Sequence, residues 1–197
     1  MELVYPAFEP GIGNRIVRVR DARTADMPAI QIIYAREVTQ GLASFEEAPP
    51  AVGELLARHA RILEQGLPYL AAELDGQLVG YGYASAYRPR AAYRYTVEDS
   101  VYVAAGAQGR GVGRALLSAL VARCEAGPWR QMIAVIGDSA NRGSVALHER
   151  LGFRRVGTLT SVGFKFGRPV DTVLMQRALD GGSDGAAQGN GPAAAPG

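Results

Sequence analysis

The 197-residue chain has one cysteine, Cys124, and therefore cannot form an intramolecular disulfide bond. Its stability must come from a hydrophobic core, and apolar residues make up 48% of the chain, which is ordinary for a globular protein. A cytoplasmic location is expected, because small secreted domains commonly depend on disulfides. We interpret Cys124 as a small buried residue on a helix rather than as a reactive thiol.

Long hydrophobic runs and a strong net charge are also absent. No run approaches the roughly 18 apolar residues that a membrane span needs, and residues 1–14 lack the basic and apolar regions of a signal peptide. The formal net charge is only +2, which is too small to indicate nucleic-acid binding over the whole surface. We expect no membrane, nucleic-acid or metal partner, and any anion site must be local.

Large apolar residues are scarce at the two ends of the chain. Residues 180–197 consist almost wholly of Gly, Ala, Pro, Ser, Asp, Gln and Asn, a composition that does not offset the entropy lost on ordering. We predict a disordered tail over 180–197, a flexible segment over 1–14, and one domain over 15–179.

Helix-like and strand-like segments alternate within this domain. Apolar spacing predicts helices that begin near residues 24 and 51, and over 111–126 and 141–151. The predicted strands lie at 16–20, 68–74, 77–86, 96–104, 132–136, 155–164 and 172–177, with Asp75-Gly76 as a hairpin turn. An early hairpin followed by strand–helix–strand predicts a single α/β or α+β domain around one mixed sheet. His59, beside the apolar stripe of the second helix, is interpreted as a packed residue.

The most informative segment joins the predicted strand 96–104 to the helix 111–126. Gly109, Gly111 and Gly113 allow the main chain to approach an anion, and the helix start adds unpaired N–H groups with a partial positive charge. This arrangement predicts a pyrophosphate site, with Arg110 and Arg114 adding charge at its rim. A P-loop would need Lys and Ser or Thr after the last glycine, and a dinucleotide fingerprint would need glycine at 114, so neither motif fits.

Two motifs in this order resemble the GNAT superfamily of N-acetyltransferases. They are Gln108-x-x-Gly111-x-Gly113 after an apolar strand, and Asn141-x-x-Ser144-x-x-Leu147-His148-x-x-Leu151-Gly152-Phe153. The resemblance covers about residues 15–179. Segments 96–103, 134–136, 147–149 and 163–168, together with Asp171, resemble more narrowly the phosphinothricin and methionine-sulfoximine acetyltransferase branch. Pro169 departs from this branch, in which a Trp is expected.

The resemblance implies a GNAT-like fold, with a central mixed, mostly antiparallel sheet flanked by helices, and acetyl-CoA as the cosubstrate. It implies that the main chain of Val101, Tyr102 and Val103 pairs with the pantetheine arm. It also implies that Asn141 bonds the pantetheine amide and that Ser144 lies in the coenzyme site. The pyrophosphate would be held by the loop and helix start, namely Gln108, Gly109, Arg110, Gly111, Val112, Gly113 and Arg114. A homodimer is expected for the same reason.

Two residues are candidates for the chemistry of acetyl transfer. Glu98 is the candidate base, acting through water, because burial in a cleft would raise the pKa of a carboxyl group toward neutrality. The alternative is a solvated strand glutamate. Asn141, Ser144 and His148 share one helical face. His148 could protonate the leaving thiolate or bond to it, and its alternative is a structural histidine.

The acceptor is expected near a loop in which arginines and tyrosines alternate. Arg88, Arg90, Tyr93 and Tyr95 are candidate substrate-binding residues, because guanidinium groups bind carboxylate or phosphinate oxygens in pairs, and Phe45 is a candidate lining residue. A solvated basic loop is the alternative. The branch resemblance implies a small amino-acid-like acceptor with a second anionic or strongly polar group. The alternatives left open are acetylation of protein N-termini or another amine, and a module that binds acetyl-CoA without catalysis.

Overall fold

The computed structural model describes residues 3–6 and 16–179. Its strands are β1 (Leu3–Pro6), β2 (Ile16–Asp21), β3 (Tyr69–Leu74), β4 (Gln77–Ala86), β5 (Thr96–Val103), β6 (Gln131–Gly137), β7 (Arg154–Lys165) and β8 (Arg168–Ala178). Its helices are α1 (Met27–Gln40), α2 (Val52–Glu64), α3 (Val112–Glu125) and α4 (Arg142–Arg150). The predicted strands and helices within 16–179 are confirmed, with ends that shift by a few residues.

One mixed sheet contains all eight described strands, in the order β1-β2-β3-β4-β5-β6-β8-β7. Every neighbouring pair is antiparallel except β5 and β6, which run parallel. Parallel neighbours need a crossover, and α3 provides it. The expected mixed, mostly antiparallel sheet is confirmed.

The amino-terminal segment differs in part from the sequence expectation. Leu3–Pro6 forms the edge strand β1, paired antiparallel with β2, whereas the sequence predicted a flexible segment over 1–14. Residues 1–2, 7–15 and 180–197 lie outside the described residues, so the predicted disordered tail stays a prediction. A run of four residues is too short to show the alternation that predicts a strand, and pairing with β2 supplies the hydrogen bonds.

The two faces of the sheet are covered by different helices. Tyr69 and Ala71 of β3 pack in a cluster with α1 and α2, whereas Leu70 and Ala72 pack with α3. The alternation follows from the period of two along a strand. A third cluster joins α3 to β5, β6 and β8, with partly buried side chains of α4 packed against it. The sheet therefore separates an α1–α2 side from an α3–α4 side.

The predicted hairpin turn between β3 and β4 is present. Asp75 and Gly76 have φ angles of 53° and 77°, as a two-residue hairpin between β3 and β4 requires.

Cys124 is fully buried, and burial raises the pKa of its thiol to about 12, which confirms its interpretation as an unreactive core residue. His59 is buried against the ring of Tyr69, as expected. Among the described residues, no helix has the length and apolar character needed to cross a membrane.

Candidate active site

The sheet opens between its two parallel strands. β5 and β6 pair only from Thr96↔Gln131 to Asp99↔Ala134, although β5 continues to Val103. Beyond that point β6 pairs with β8 alone among the described strands. The carboxyl half of β5 therefore has no strand partner on its β6 side, and a cavity of about 50 Å³ lies at this opening.

Alternation along β5 decides which main-chain groups face the opening. The N–H of Ala104 donates to Val79 on β4, so the N–H and C=O of alternate residues, including Tyr102, point toward β4. The main-chain groups of Val101 and Val103 point the other way, into the opening. The predicted main-chain contact with a pantetheine arm fits Val101 and Val103. The main-chain groups of Tyr102 face β4 instead, and its ring packs against the rings of Tyr34 and Tyr81 at 5.1 Å between centroids.

The glycine-rich loop leads from β5 into α3. Gly109 and Gly111 have φ angles of 73° and 83°, which L-residues with side chains rarely adopt. The first N–H of the helix that finds a helical acceptor belongs to Ala115, which donates to Gly111, so the N–H groups of residues 112–114 precede the ladder. N–H groups that precede the ladder in this way are able to bind an anion, and the pyrophosphate site stays a prediction.

The other residues of the loop differ in solvent exposure. Gln108, Gly109 and Arg114 are exposed, whereas Arg110 is half-buried and the side chain of Val112 is buried in the core. A Cβ at Gly113 would lie 3.3 Å from the side chain of Leu147 on α4. Gly113 therefore permits close packing of α3 on α4, a structural reason for this glycine that the motif alone does not show.

Helix α4 begins beside the same opening. The Asn141 side-chain oxygen accepts a hydrogen bond from the N–H of Ser144 at 3.1 Å, which caps the helix. Asn141 and His148 line the opening, whereas Ser144 contributes its main-chain oxygen to His148 and is not among the lining residues. The predicted face therefore brings Asn141 and His148 to the opening and leaves Ser144 behind them.

His148 is held at each of its ring nitrogens. Nδ1 lies 2.7 Å from the Ser144 carbonyl oxygen, and Nε2 lies 3.1 Å from Oδ2 of Asp99. The ring also meets Phe153 edge to face at 5.0 Å between centroids, and His148 is only 4% exposed. Burial by itself would lower the pKa of His148, but the hydrogen bond and charge of Asp99 outweigh it and raise the pKa.

Glu98 lies on the opposite side of β5 from Asp99. It is paired across strands with Ser85 of β4, which places their side chains on the α1–α2 side of the sheet. Burial, followed by the charge of Asp99, raises the pKa of Glu98 to about 7, and the charge of Arg88 opposes the rise. Glu98 is thus half-buried and near neutrality in its titration, as the sequence expectation for a base required.

A larger cavity of about 330 Å³ lies on the α1–α2 side. Ser85, opposite Glu98, is one of its lining residues. The sequence analysis did not identify the aromatic and polar side chains that line this cavity, which are Tyr34, Arg58, Arg61, Gln65, Tyr69, Tyr81 and Tyr83. Tyr69 stacks on Tyr83 at 5.1 Å and on Tyr81 at 6.0 Å between ring centroids, so tyrosine rings form a rigid wall. The tyrosines at 69, 81 and 83, which share one face of the β3–β4 hairpin, are the sequence pattern that could have predicted this wall.

The candidate acceptor residues from the loop 87–95 are not among the lining residues of this cavity. Arg88 stacks on Tyr87 and Tyr93 at 5.2 Å and 6.0 Å from the ring centroids, close enough to Glu98 to affect its pKa. Arg90 is exposed. Tyr95 lies between the guanidinium groups of Arg94 and Arg130 at the beginning of β5 and is separate from the lining of the two cavities.

Phe45 belongs to the segment 41–51 that joins α1 to α2, which we call the 41–51 segment. Its ring fits over Gly163, where a Cβ would overlap it, and a Cβ at Gly137 would overlap the main-chain oxygen of Leu42. Lys165 Nζ donates to the Ser44 carbonyl at 2.6 Å. Glycines on β6 and β7 and one buried ammonium therefore hold this segment against the sheet.

A strand opening with free main-chain groups, followed by a helix amino terminus that can hold a pyrophosphate, defines a coenzyme A-dependent acyltransferase. Residues 30–153 match the model of the acetyltransferase (GNAT) family. The chain belongs to this family and is an acetyl-CoA-dependent N-acetyltransferase.

Relatives of known activity are similar over most of the chain. A phosphinothricin N-acetyltransferase from Alcaligenes faecalis is 61% identical over 164 residues, which span 83% of each chain. An L-methionine sulfoximine/L-methionine sulfone acetyltransferase from Pseudomonas aeruginosa is 40% identical over 82% of this chain and 94% of that protein. A crystal structure of a phosphinothricin acetyltransferase from Sinorhizobium meliloti with acetyl-CoA superposes with a TM-score of 0.82 and 48% identity, over 85% of this chain and 90% of that one.

Proposed function

We propose that this enzyme acetylates the primary amine of a small amino-acid-like substrate of the phosphinothricin or methionine sulfoximine and sulfone type. The observation that carries the proposal is the position of Glu98. Its carboxyl group belongs to the strand that borders the β5–β6 opening and faces the side of the sheet that holds the 330 Å³ cavity. A base so placed lies between a coenzyme site and an acceptor site.

Glu98 performs the proton transfer that the acceptor needs. An alkylammonium with a pKa near ~10 has no lone pair, so one proton must leave before nitrogen can attack a carbonyl carbon. A carboxylate with a pKa of about 7 accepts that proton, through a water molecule, more readily than an ordinary exposed glutamate does. His148 is the candidate donor to the departing sulfur.

The coenzyme would be held by groups along the β5–β6 opening and the helix beyond it. Main-chain groups of Val101 and Val103 would pair with the pantetheine arm, and Asn141 lies beside it. N–H groups at 112–114, with Arg110 and Arg114, would hold the pyrophosphate. Acetyl-CoA, when bound, supplies the acetyl group as an activated thioester.

The acceptor would occupy the larger cavity, with its amine toward Glu98. The cavity is lined by aromatic rings, while Arg61 and Gln65 supply polar groups and Arg88 lies at the rim near Glu98. Guanidinium groups suit a carboxylate and a second oxyanion. Arg58 is already engaged by Glu46 at 2.6 Å, so it shapes the wall. Roles for Phe45, Arg90, Tyr93 and Tyr95 stay predictions.

A thiol-release assay tests this proposal. Purified enzyme and acetyl-CoA are combined with phosphinothricin, methionine sulfoximine, methionine sulfone, the unmodified amino acids and a panel of peptides, and free thiol is followed. We expect the highest kcat/KM for one of the first three. A preference for peptides would favour an enzyme that acts on protein N-termini. Binding of coenzyme A in calorimetry without thiol release from any amine would favour a non-catalytic binding module.

The enzyme is also proposed to form a homodimer through β7. This strand pairs only with β8 among the described strands, and most of its residues are exposed. Val156, Leu159, Val162 and Phe164 are 56%, 46%, 57% and 68% exposed, an apolar row along a sheet edge. Such rows mark interaction surfaces, and a second copy would cover this one. The cytoplasmic location stays a prediction, since it depends on the single cysteine.

A further inference from the structure

Asp99 is the only residue besides the Ser144 carbonyl that hydrogen-bonds the His148 ring among the described residues. It lies on β5 next to Glu98 but on the α3–α4 side, and it is 6% exposed. Its Oδ2 meets His148 Nε2, whereas its Oδ1 has no hydrogen-bond partner within the described residues. Asp99 and His148 line the β5–β6 opening. A buried carboxylate with one free oxygen at a ligand opening calls for a functional explanation.

The two hydrogen-bond partners restrict where the ring protons lie. A carbonyl oxygen only accepts, so Nδ1 of His148 carries a proton that it donates to Ser144. With Asp99 as a carboxylate, which also only accepts, Nε2 carries the second proton and donates it to Asp99. The ring cannot rotate freely, because Phe153 packs on it and the Nδ1 bond ties it to its own helix.

We propose that Asp99 is a positioning residue that keeps a proton on Nε2 of His148 at the floor of the opening, where the thiolate is released. The inference rests on the proposed function. In the step it serves, the bond between sulfur and the acetyl carbon breaks and the electron pair stays on sulfur. The released sulfur shares the Nε2 proton with Oδ2 of Asp99 and then takes it, and the neutral ring, still bonded to Ser144, regains a proton from solvent. Glu98, on the other side of β5, takes the amine proton.

Few other ionisable groups face this pair. From α3 it is Cys124, whose thiol stays neutral because burial raises its pKa to about 12. From β5 it is Glu98, whose charge is directed to the other side of the sheet. From α4 only the Ser144 carbonyl faces the ring, and Phe153 covers its edge. The protonation of His148 therefore depends on Asp99 more than on any other described group.

Nuclear magnetic resonance can test this directly, because the chain has only two histidines. In protein labelled with ¹⁵N-histidine, a His59→Gln variant assigns the His148 signals. We expect His148 to carry protons on its two ring nitrogens at pH 7. In Asp99→Asn we expect a neutral ring protonated at Nδ1, and a titration midpoint lower by about one pH unit or more. This arm does not depend on activity, so it remains informative if the proposed function is wrong.

Kinetics supply the second arm. Asp99→Asn should lower kcat on the order of 10-fold with little change in the KM for acetyl-CoA, and it should have no further effect when His148 is already Asn. Asp26→Asn, which breaks the Arg20–Asp26 ion pair elsewhere, is the control and should leave kcat unchanged. A wild-type His148 that is neutral at pH 7, or an Asp99→Asn effect that persists fully in the His148→Asn background, would overturn the proposal. If Asp99→Asn does not fold, the wild-type spectrum decides.

Discussion

Glu98 and Asp99 are adjacent in sequence yet have opposite surroundings. Glu98 lies on the side of the sheet that holds the tyrosine-lined cavity and Asp99 faces His148, because successive residues of a strand point to opposite sides. The two carboxyl groups still interact, since the charge of Asp99 helps to raise the pKa of Glu98. At this scale the proposed site consists of a base on one side of a strand and an Asp–His pair on the other.

Replacing Glu98 with Gln should lower kcat by roughly 100-fold or more, because the base is lost while the shape is kept. In the wild-type enzyme, kcat should rise with pH through about 7, where Glu98 loses its proton. This rise of kcat with pH should be absent in the Glu98→Gln variant. Initial rates between pH 5 and pH 9 measure it. A variant that keeps the wild-type profile would exclude Glu98 as the base.

The same substitution should stabilise the protein at high pH. Folding raises the pKa of Glu98 from 4.5 to about 7, so between these values the folded state binds more protons than the unfolded state. The free energy of unfolding of the wild type therefore falls as pH rises through this window. Urea titrations should find wild type and Glu98→Gln nearly equal at pH 4. At pH 8 the variant should be more stable by on the order of 2 kcal/mol. Equal stabilities at pH 8 would contradict the burial of this charge.

At the scale of elements, the 41–51 segment between α1 and α2 depends on contacts with distant strands. Lys165, the only lysine in the chain, places its ammonium on the carbonyls of Ser44 and Glu37, at 2.6 Å and 3.5 Å. Burial lowers the pKa of this ammonium. A compact ammonium on a flexible stem suits two converging carbonyls, whereas a planar guanidinium does not.

Lys165→Met should raise the KM for the acceptor about 10-fold, more than it raises the KM for acetyl-CoA. The stem volume is kept, but the 41–51 segment loses its tie to β7, and Glu46 of this segment holds Arg58 in the wall of the larger cavity. Steady-state kinetics with each substrate varied in turn measure this. Lys165→Arg is the matched comparison and should recover little, since charge alone does not restore the geometry. A change confined to the acetyl-CoA KM would show that the segment does not shape the acceptor site.

Entry into α3 depends on a positive φ angle. Gly111→Ala should cost about 1 kcal/mol of stability, because alanine at a φ of 83° is strained, and it should weaken coenzyme A binding by disturbing the N–H groups at 112–114. Calorimetry with coenzyme A measures the affinity. Gly143→Ala is the control, since that glycine lies in α4 with open space around it and should be neutral or stabilising. Equal affinities for the two variants would remove the loop from the coenzyme site.

At the scale of the whole molecule, the exposed edge β7 predicts the assembly. Light scattering coupled to size exclusion should give twice the 20.9 kDa of one chain. The double variant Val162→Ser, Phe164→Ser should give the mass of one chain at low concentration, because the apolar row is interrupted. Ile32→Ser, which changes a 70% exposed residue on α1, should leave the mass at two chains. A wild-type protein that runs as a single chain would exclude the dimer.

Local patterns sufficed for most of the elements and for the strand and helix that border the β5–β6 opening. The hairpin at Asp75-Gly76, the strand that carries Glu98 and the helix that carries His148 all follow from short-range periodicity and turn chemistry. The larger cavity was harder to predict, because its wall combines Tyr34 and Arg58 of two helices with tyrosines of a hairpin. None of these residues belongs to a short motif. The alternation of arginine and tyrosine predicted an acceptor site in the loop 87–95 instead.

By itself the sequence determined the strand, glycine turn and helix that identify the family, since each depends on neighbours within a few residues. Only the tertiary structure decided what those residues meet. It separated Val101 and Val103 from Tyr102 at the strand opening, paired Asp99 with His148 across 49 positions, and brought Lys165 under a segment 121 residues away. The physical reason is that such contacts form between elements brought together by sheet pairing and helix packing. The periodicity of one element does not identify the element that packs against it.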